Sequence, residues 1–434
     1  MRKKEGINFV IFALLANFYI TTLFLGFFNF IYIGSIALEG LIRFILFTSL
    51  TIIFLKKINQ IKSTFLKEKK IFIFIILFVI LTFLQIFFLK NKLYHIQGTI
   101  KYLFYLLCIL LSIYSLHNNG VQVRDKLIIV IYILFFSVVI FYPYLIIRSG
   151  LSLGERLTLT GIRFSMILGA GNEDAHFMVT LFPFILYSLY KKKFLLISII
   201  ILSTVVLIYN GTRSTLLMFC FVVLLYFTIT NKNKILMPLL IVILIFTVGE
   251  SVGNIFITQL EGEKGIIFNF NDFVQGRVSE GNLAGRYNST WMPTVLYTIK
   301  NSLWIGFGNN GWSEVALNAI GYENISNSWV SVAPHNFFVT CFCNWGLLGL
   351  TLFIYLFYHY VKYSFLCLKK ALTFNQKRIS TALLCSWISF LSWSMIANSS
   401  GTAGWTVLVI LILLTIINKN EILTEYSTLK KKIK

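Results

Sequence analysis

The chain has 434 residues, 57% of them hydrophobic and only 12% charged, with a mean hydropathy of +0.81 and a formal net charge of +22. An ordinary water-soluble domain has about a quarter of its residues charged, so that class is excluded and an integral membrane protein is expected. A nucleic-acid partner is excluded as well, because the basic residues are scattered over seven short segments instead of being gathered on one surface.

Apolar runs of about 20 residues, long enough to cross a bilayer as helices, recur along nearly the whole chain. Twelve are expected, centred on residues 9–30, 33–55, 71–89, 99–116, 127–147, 175–190, 194–209, 214–230, 236–248, 337–360, 381–397 and 405–417. The first follows the basic opening MRKK, lacks a small-residue cleavage site and leads directly into further runs, so it reads as a retained helix. With both termini in the cytoplasm, 26 of the 38 Lys and Arg residues fall on the inner side, which is what the positive-inside tendency asks of a twelve-span protein. The expected fold is a single all-α polytopic membrane domain over residues 1–434. The six cysteines, Cys108, Cys220, Cys341, Cys343, Cys367 and Cys385, lie in or near apolar runs. Cys341 and Cys343, two apart, point away from each other on a helix, which favours packing over a metal or disulfide role.

Polar residues that interrupt the apolar runs are the candidates for chemistry. Arg43 sits midway along the 33–55 run, and an ionisable group inside a membrane faces the bundle interior or a cavity. Glu39, four residues earlier, offers it a local ion pair; lining the path of an anionic lipid head group is the alternative. Residues 169–176, GAGNEDAH, introduce the 175–190 run with Asn172, Glu173 and Asp174, and residues 209–214, YNGTRS, set Arg213 in a short outer turn. Each could be a solvated loop residue or a helix cap. Arginines converging at a membrane face would instead match the oxygens of a phosphate or diphosphate with their fork geometry.

Between the ninth and tenth runs, residues 250–334 form a long outer loop with seven acidic and four basic residues. A plain connection needs only a few residues, and loops of this length carry function or disorder. The stretch TWMPTVLYTIKNSLWIGFGNNGW is too apolar for disorder and is expected to form short amphipathic helices near the membrane surface. Pro293 suits the start of such a helix; Gly306, Gly308 and Gly311 would end it in a tight turn. The same loop holds GRYNST, with Arg286 ahead of Trp291. It re-enters the membrane at SVAPHNFFVT, where His335 and Asn336 precede an apolar run. A helix N-terminus there suits an anionic ligand, His335 could act as base, donor or phosphate contact, and a simple His-Asn cap is the competing reading.

Taken in order, the outer TRS turn, GRYNSTW, SLWIGFGNNG, PHNFF and NWGLLGL resemble the O-antigen polymerase and O-antigen ligase superfamily of bacterial envelope enzymes. The motifs cover residues 169–350, while the N-terminal third matches only as a series of spans. The resemblance implies a GT-C-like glycosyltransferase of the bacterial cytoplasmic membrane, independent of metal and of any cofactor, using glycans carried on undecaprenyl diphosphate as donor. A polymerase would pass the glycan to a second lipid-linked repeat unit, making O-antigen or capsular polysaccharide; a ligase would pass it to the lipid A core. Membrane lipid, a chain-length regulator and a flippase are its implied partners. Carried over residue by residue, His335, Arg213 and Arg286 are the catalytic candidates, and Asn172, Arg43, Trp291 and Asn336 the substrate-binding ones. Polymerase is the preferred expectation, with ligase and then a flippase-type transporter as alternatives. GTRS departs from the usual Ser-Arg pair, and Glu173 and Asp174 depart from an apolar flank.

Overall fold

The computed structural model describes residues 5–22, 32–33, 36–65, 68–88, 92–148, 171–210, 213–230, 291–309, 311–321, 336–396 and 402–433. Their elements are α1 (Glu5–Thr22), β1 (Tyr32–Ile33), β2 (Ile36–Ala37), α2 (Leu38–Phe65), α3 (Lys69–Phe88), α4 (Lys92–Arg148), α5 (Gly171–Leu189), α6 (Lys193–Asn210), α7 (Arg213–Thr230), α8 (Met292–Ser302), α9 (Gly311–Ile320), α10 (Phe337–Lys370), α11 (Phe374–Ile396) and α12 (Thr402–Ile433). Among the described residues the regular structure is helical apart from the small antiparallel β1–β2 ribbon, in which Tyr32 pairs with Ala37 and Ile33 with Ile36.

Among the described residues, three helices are long and apolar enough to cross a bilayer, over Lys69–Phe88, Phe337–Lys370 and Ala403–Leu429. Shorter apolar stretches lie at Ile7–Tyr19, Gly98–Tyr114, Ala175–Leu189, Lys193–Leu207 and Thr215–Thr230. All eight coincide with runs expected from the sequence. The expected run at 236–248 and most of the 250–334 loop lie outside the described residues.

Two local expectations are corrected. The runs at 99–116 and 127–147 share one continuous helix, α4, because the polar HNNG stretch between them holds no proline to break it. The 33–55 run does not begin as a helix: the β ribbon takes up its first residues, α2 starts at Leu38, and Arg43 therefore stands in the second turn instead of midway along a span.

The chain divides into two compact units, residues 1–124, 280–362 and 393–413 in the first and 125–279, 363–392 and 414–434 in the second. In the first, α3 shows how the sequence sorts itself in lipid. Apart from Phe72 in the first turn, its buried residues Ile71, Phe74, Ile75, Phe78, Leu81, Thr82 and Gln85 recur at three- and four-residue spacing, one stripe of a 3.6-residue helix. The opposite face, with Ile73, Ile76, Ile80, Phe83 and Phe87, is exposed and wholly apolar. Water exclusion gives no driving force between helices in hydrocarbon, so packing and polar contacts must hold the unit together. Its core is aromatic: Trp345 lies 5.1 Å from both Phe78 and Tyr102 and stacks on Phe353 at 5.2 Å, and Tyr102 lies 5.1 Å from Trp405. Each such pair contributes about 1 kcal/mol beyond its area.

In the second unit, α5, α6 and α7 form an up-down-up meander in which each helix touches the other two, and Phe182 meets Phe219 at 4.6 Å. α11 opens with a reciprocal cap. Gln376 N–H donates to Thr373 Oγ1 at 3.2 Å, while the Gln376 side chain accepts from the N–H groups of Leu372 and Thr373 at 2.9 and 3.2 Å. Arg378, in the basic stretch between the 337–360 and 381–397 runs that is expected on the inner side, is buried: its guanidinium lies 4.0 Å over the Tyr190 ring and donates to the Tyr187 carbonyl. It acts as packing more than as a surface charge.

Candidate functional site

Two interrupted helices cross in the first unit. α10 breaks at Gly346, where φ is 62° and ψ −163°, and the chain leaving α8 breaks at Gly306, with φ 67°. Both settings are left-handed and open to glycine. In unbroken helices Phe307 and Gly308 would donate to Leu303 and Trp304, and Leu347 and Leu348 to Cys343 and Asn344. The partners are exchanged instead. Phe307 N–H donates to Cys343 O at 2.9 Å and Gly308 N–H to Asn344 O at 2.7 Å, while Leu347 N–H donates to Leu303 O at 2.8 Å and Leu348 N–H to Trp304 O at 3.2 Å. Each group that lost its own helical partner thus gains one from the other segment. So close an approach needs two glycines: a Cβ on Gly306 would lie 2.5 Å from Gly346 N, and one on Gly346 2.4 Å from Trp304 C.

A buried polar cluster braces the crossing. Gln85 of α3 donates to Asn344 O at 2.7 Å and also to Ile305 O. On α4, His95 places Nε2 2.9 Å from Thr82 O and Nδ1 2.8 Å from the Asn309 N–H, an arrangement that the neutral imidazole protonated on Nε2 satisfies on both sides. Asn309 donates through Nδ2 to Thr99 Oγ1 at 2.6 Å and accepts from Trp345 Nε1 at 2.6 Å. Asn344 Oδ1 accepts the Trp312 N–H at 2.9 Å. None of these groups carries a formal charge, so the cluster is suited to fixing backbone and not to binding an anion. The motifs GFGNNGW and NWGLLGL contain part of this cluster, but sequence pattern does not reveal that their residues meet. The overlooked signal was Gln85, a lone amide inside an apolar run, since polar side chains in spans turn inward and find partners.

Ten residues before Gly346, Asn336 caps the start of α10. Its Oδ1 accepts the N–H groups of Phe338 and Val339 at 2.9 and 3.1 Å, and its Nδ2 donates to Met395 O at 3.2 Å. His335, immediately before it, and Arg286 lie outside the described residues. Trp291 stands at the N-cap of α8, half-buried, and Pro293 occupies the first turn as expected. Arg43 is half-buried on α2.

The meander of the second unit brings two candidates to one end. α5 and α7 run in the same direction, Asn172 is the second residue of α5 and Arg213 the first of α7. Measured from the Phe182–Phe219 contact, Asn172 lies roughly 15 Å and Arg213 roughly 9 Å along their helices, so both belong to the same end of the meander.

The described helices make this a polytopic membrane protein with a helical fold. Residues 198–354 match a family model, Wzy_C, described as O-Antigen ligase, and over that segment the chain is similar to this family. The matched stretch begins within α6, includes α7, α8 and α9, and ends at Ile354 of α10, so the whole crossing lies inside it. No curated protein matches the chain.

Proposed function

We propose that the protein is a membrane-embedded glycosyltransferase that takes a glycan from undecaprenyl diphosphate at the outer face of the bacterial cytoplasmic membrane, in a GT-C-like bundle of about twelve spans. The carrying observation is the match of residues 198–354 to the O-antigen ligase model. That match favours transfer to a lipid A core acceptor over the polymerase reading preferred from the sequence.

The chemistry follows from the donor. Cleavage of the anomeric bond leaves charge on the departing diphosphate, and Arg213 and Arg286 stabilise it more in the transition state than in the ground state. The acceptor hydroxyl gives its proton to the neutral imidazole of His335 as its oxygen bonds the anomeric carbon. Asn336 fixes the helix entrance that follows His335, and Asn172, Arg43 and Trp291 contact the lipid-linked donor.

The test is reconstitution of the purified protein with undecaprenyl-diphosphate-linked repeat units, offered either lipid A core or a second lipid-linked unit as acceptor. Glycan appearing on the core supports the ligase, and lengthening on the carrier supports the polymerase. Donor left intact with both acceptors would overturn glycosyl transfer altogether.

A further inference from the structure

α8 is built inside out. Thr294 and Thr298 are fully buried, their hydroxyls donating to the carbonyls of Trp291 and Thr294 at 2.9 Å each, and they back onto Cys343 of α10. Met292, Leu296 and Ile299, at positions i, i+4 and i+7 on the other side, are exposed, and so are Lys300 and Asn301 in the last turn, where the long lysine stem lets the ammonium reach the membrane surface. A helix facing water would turn the other way, aliphatic residues in and threonines out. In hydrocarbon the observed polarity is the favourable one.

The depth of the crossing agrees. On α3, Lys70 Nζ lies 3.3 Å from His359 Nδ1, while Gln85 meets Asn344, so α3 and α10 lie alongside each other between these two levels. The ammonium of Lys70 belongs at a membrane edge. Gln85 stands about 22 Å further along the helix, within a hydrocarbon core about 30 Å thick. The turn from Leu303 to Asn309 is therefore at membrane depth. Non-helical backbone survives there only where protein satisfies it, which is what the exchanged bonds, Gln85 and His95 provide. The apolar stripe is also continuous with a spanning surface: Trp304, 60% exposed, accepts a hydrogen bond from the backbone of Leu348, 45% exposed, on α10.

From this geometry we infer that α8 and the following turn form a re-entrant membrane segment whose Met292–Leu296–Ile299–Trp304 face contacts lipid acyl chains. α9, which packs Trp312, Val315 and Ala316 with Cys343, leads the chain back out. This differs from a loop resting over the membrane, and it does not depend on the proposed reaction.

The experiment attaches a nitroxide to Leu296→Cys and, separately, to Ile299→Cys in the full chain reconstituted in phosphatidylethanolamine–phosphatidylglycerol vesicles. The six native thiols are buried, so the unsubstituted protein supplies the background. Collision with oxygen is expected to exceed collision with a water-soluble nickel chelate by several-fold at both sites, as for a label at Ile76→Cys on the exposed face of α3. Nickel access equal to or above that of oxygen would place the face in water and overturn the inference. Low access to both reagents at both sites would mean that protein covers it, and would overturn it equally. Two positions, each at an exposed site where the side chain makes little packing, guard against a single misfolded variant.

Discussion

Asn336 carries a defined task at the entrance of α10: one side-chain oxygen holds two N–H groups that a helix start leaves open. Asn336→Ala should cost about 1 kcal/mol, read as a lower melting temperature in detergent, and Asn336→Asp should keep most of that stability because a carboxylate still caps. Equal melting of the two variants would leave the cap without energetic weight. For His335 the expectation concerns rate. His335→Ala should slow glycan transfer by roughly 100-fold or more without lowering the melting temperature. The unsubstituted enzyme should lose activity as acidification protonates the imidazole, because a base must be neutral to accept a proton. A pH-independent rate, or a fully active Ala variant, removes His335 from the proton transfer. At this scale the sequence disclosed Asn336 because a cap is a local pattern, a polar residue directly ahead of an apolar run. Gln85 and His95 stayed hidden because their partners are remote: Ile305 is 220 positions from Gln85, and Asn309 is 214 from His95.

Helices α8 and α10 depend on each other for backbone bonds, so their glycines should be the least replaceable in the first unit. Gly306→Ala and Gly346→Ala each combine a left-handed backbone setting with a Cβ forced into the opposing main chain, and about 3 kcal/mol or more of destabilisation is expected for each. Gly321→Ala is the control. It shares the positive φ, at 89°, but has nothing within 4 Å of the added carbon, so it should cost only about 1 kcal/mol. Gln85→Leu keeps the volume but removes both amide donors at the crossing and should cost about 2 kcal/mol. Thermal unfolding in detergent reads all four variants, and a Gly306→Ala protein as stable as Gly321→Ala would contradict the exchange. Sequence patterning placed Pro293 in the first turn of α8 and Gly306 and Gly308 in the turn that follows, but the helix itself ends at Ser302 and Gly311 opens α9 instead of closing α8. It missed the break in α10, since NWGLLGL reads as unbroken apolar periodicity and a glycine inside a helix is not by itself a stop.

Across the whole molecule, apolar run length was the most legible feature, because the bilayer sets one length scale for every span. Charge was less direct evidence, as the burial of Arg378 against Tyr190 shows: a basic residue at the expected level need not face the cytoplasm. Sidedness therefore calls for its own measurement. A reporter active only outside the cytoplasm should work when fused after Glu263 or Tyr322 and fail after Lys69, Lys192 or Lys377, following the distribution of Lys and Arg. The re-entrant reading sharpens this expectation. A true span between Glu263 and Tyr322 would place them on opposite sides, whereas a segment that enters at α8 and leaves at α9 returns the chain to the side it came from. Matching reporter activity at the two positions is thus required both by the outward-facing reaction and by the hairpin. Activity at Tyr322 with none at Glu263, in stably inserted fusions, would make α8 and its turn part of a complete crossing and would invert the side assigned to Arg213.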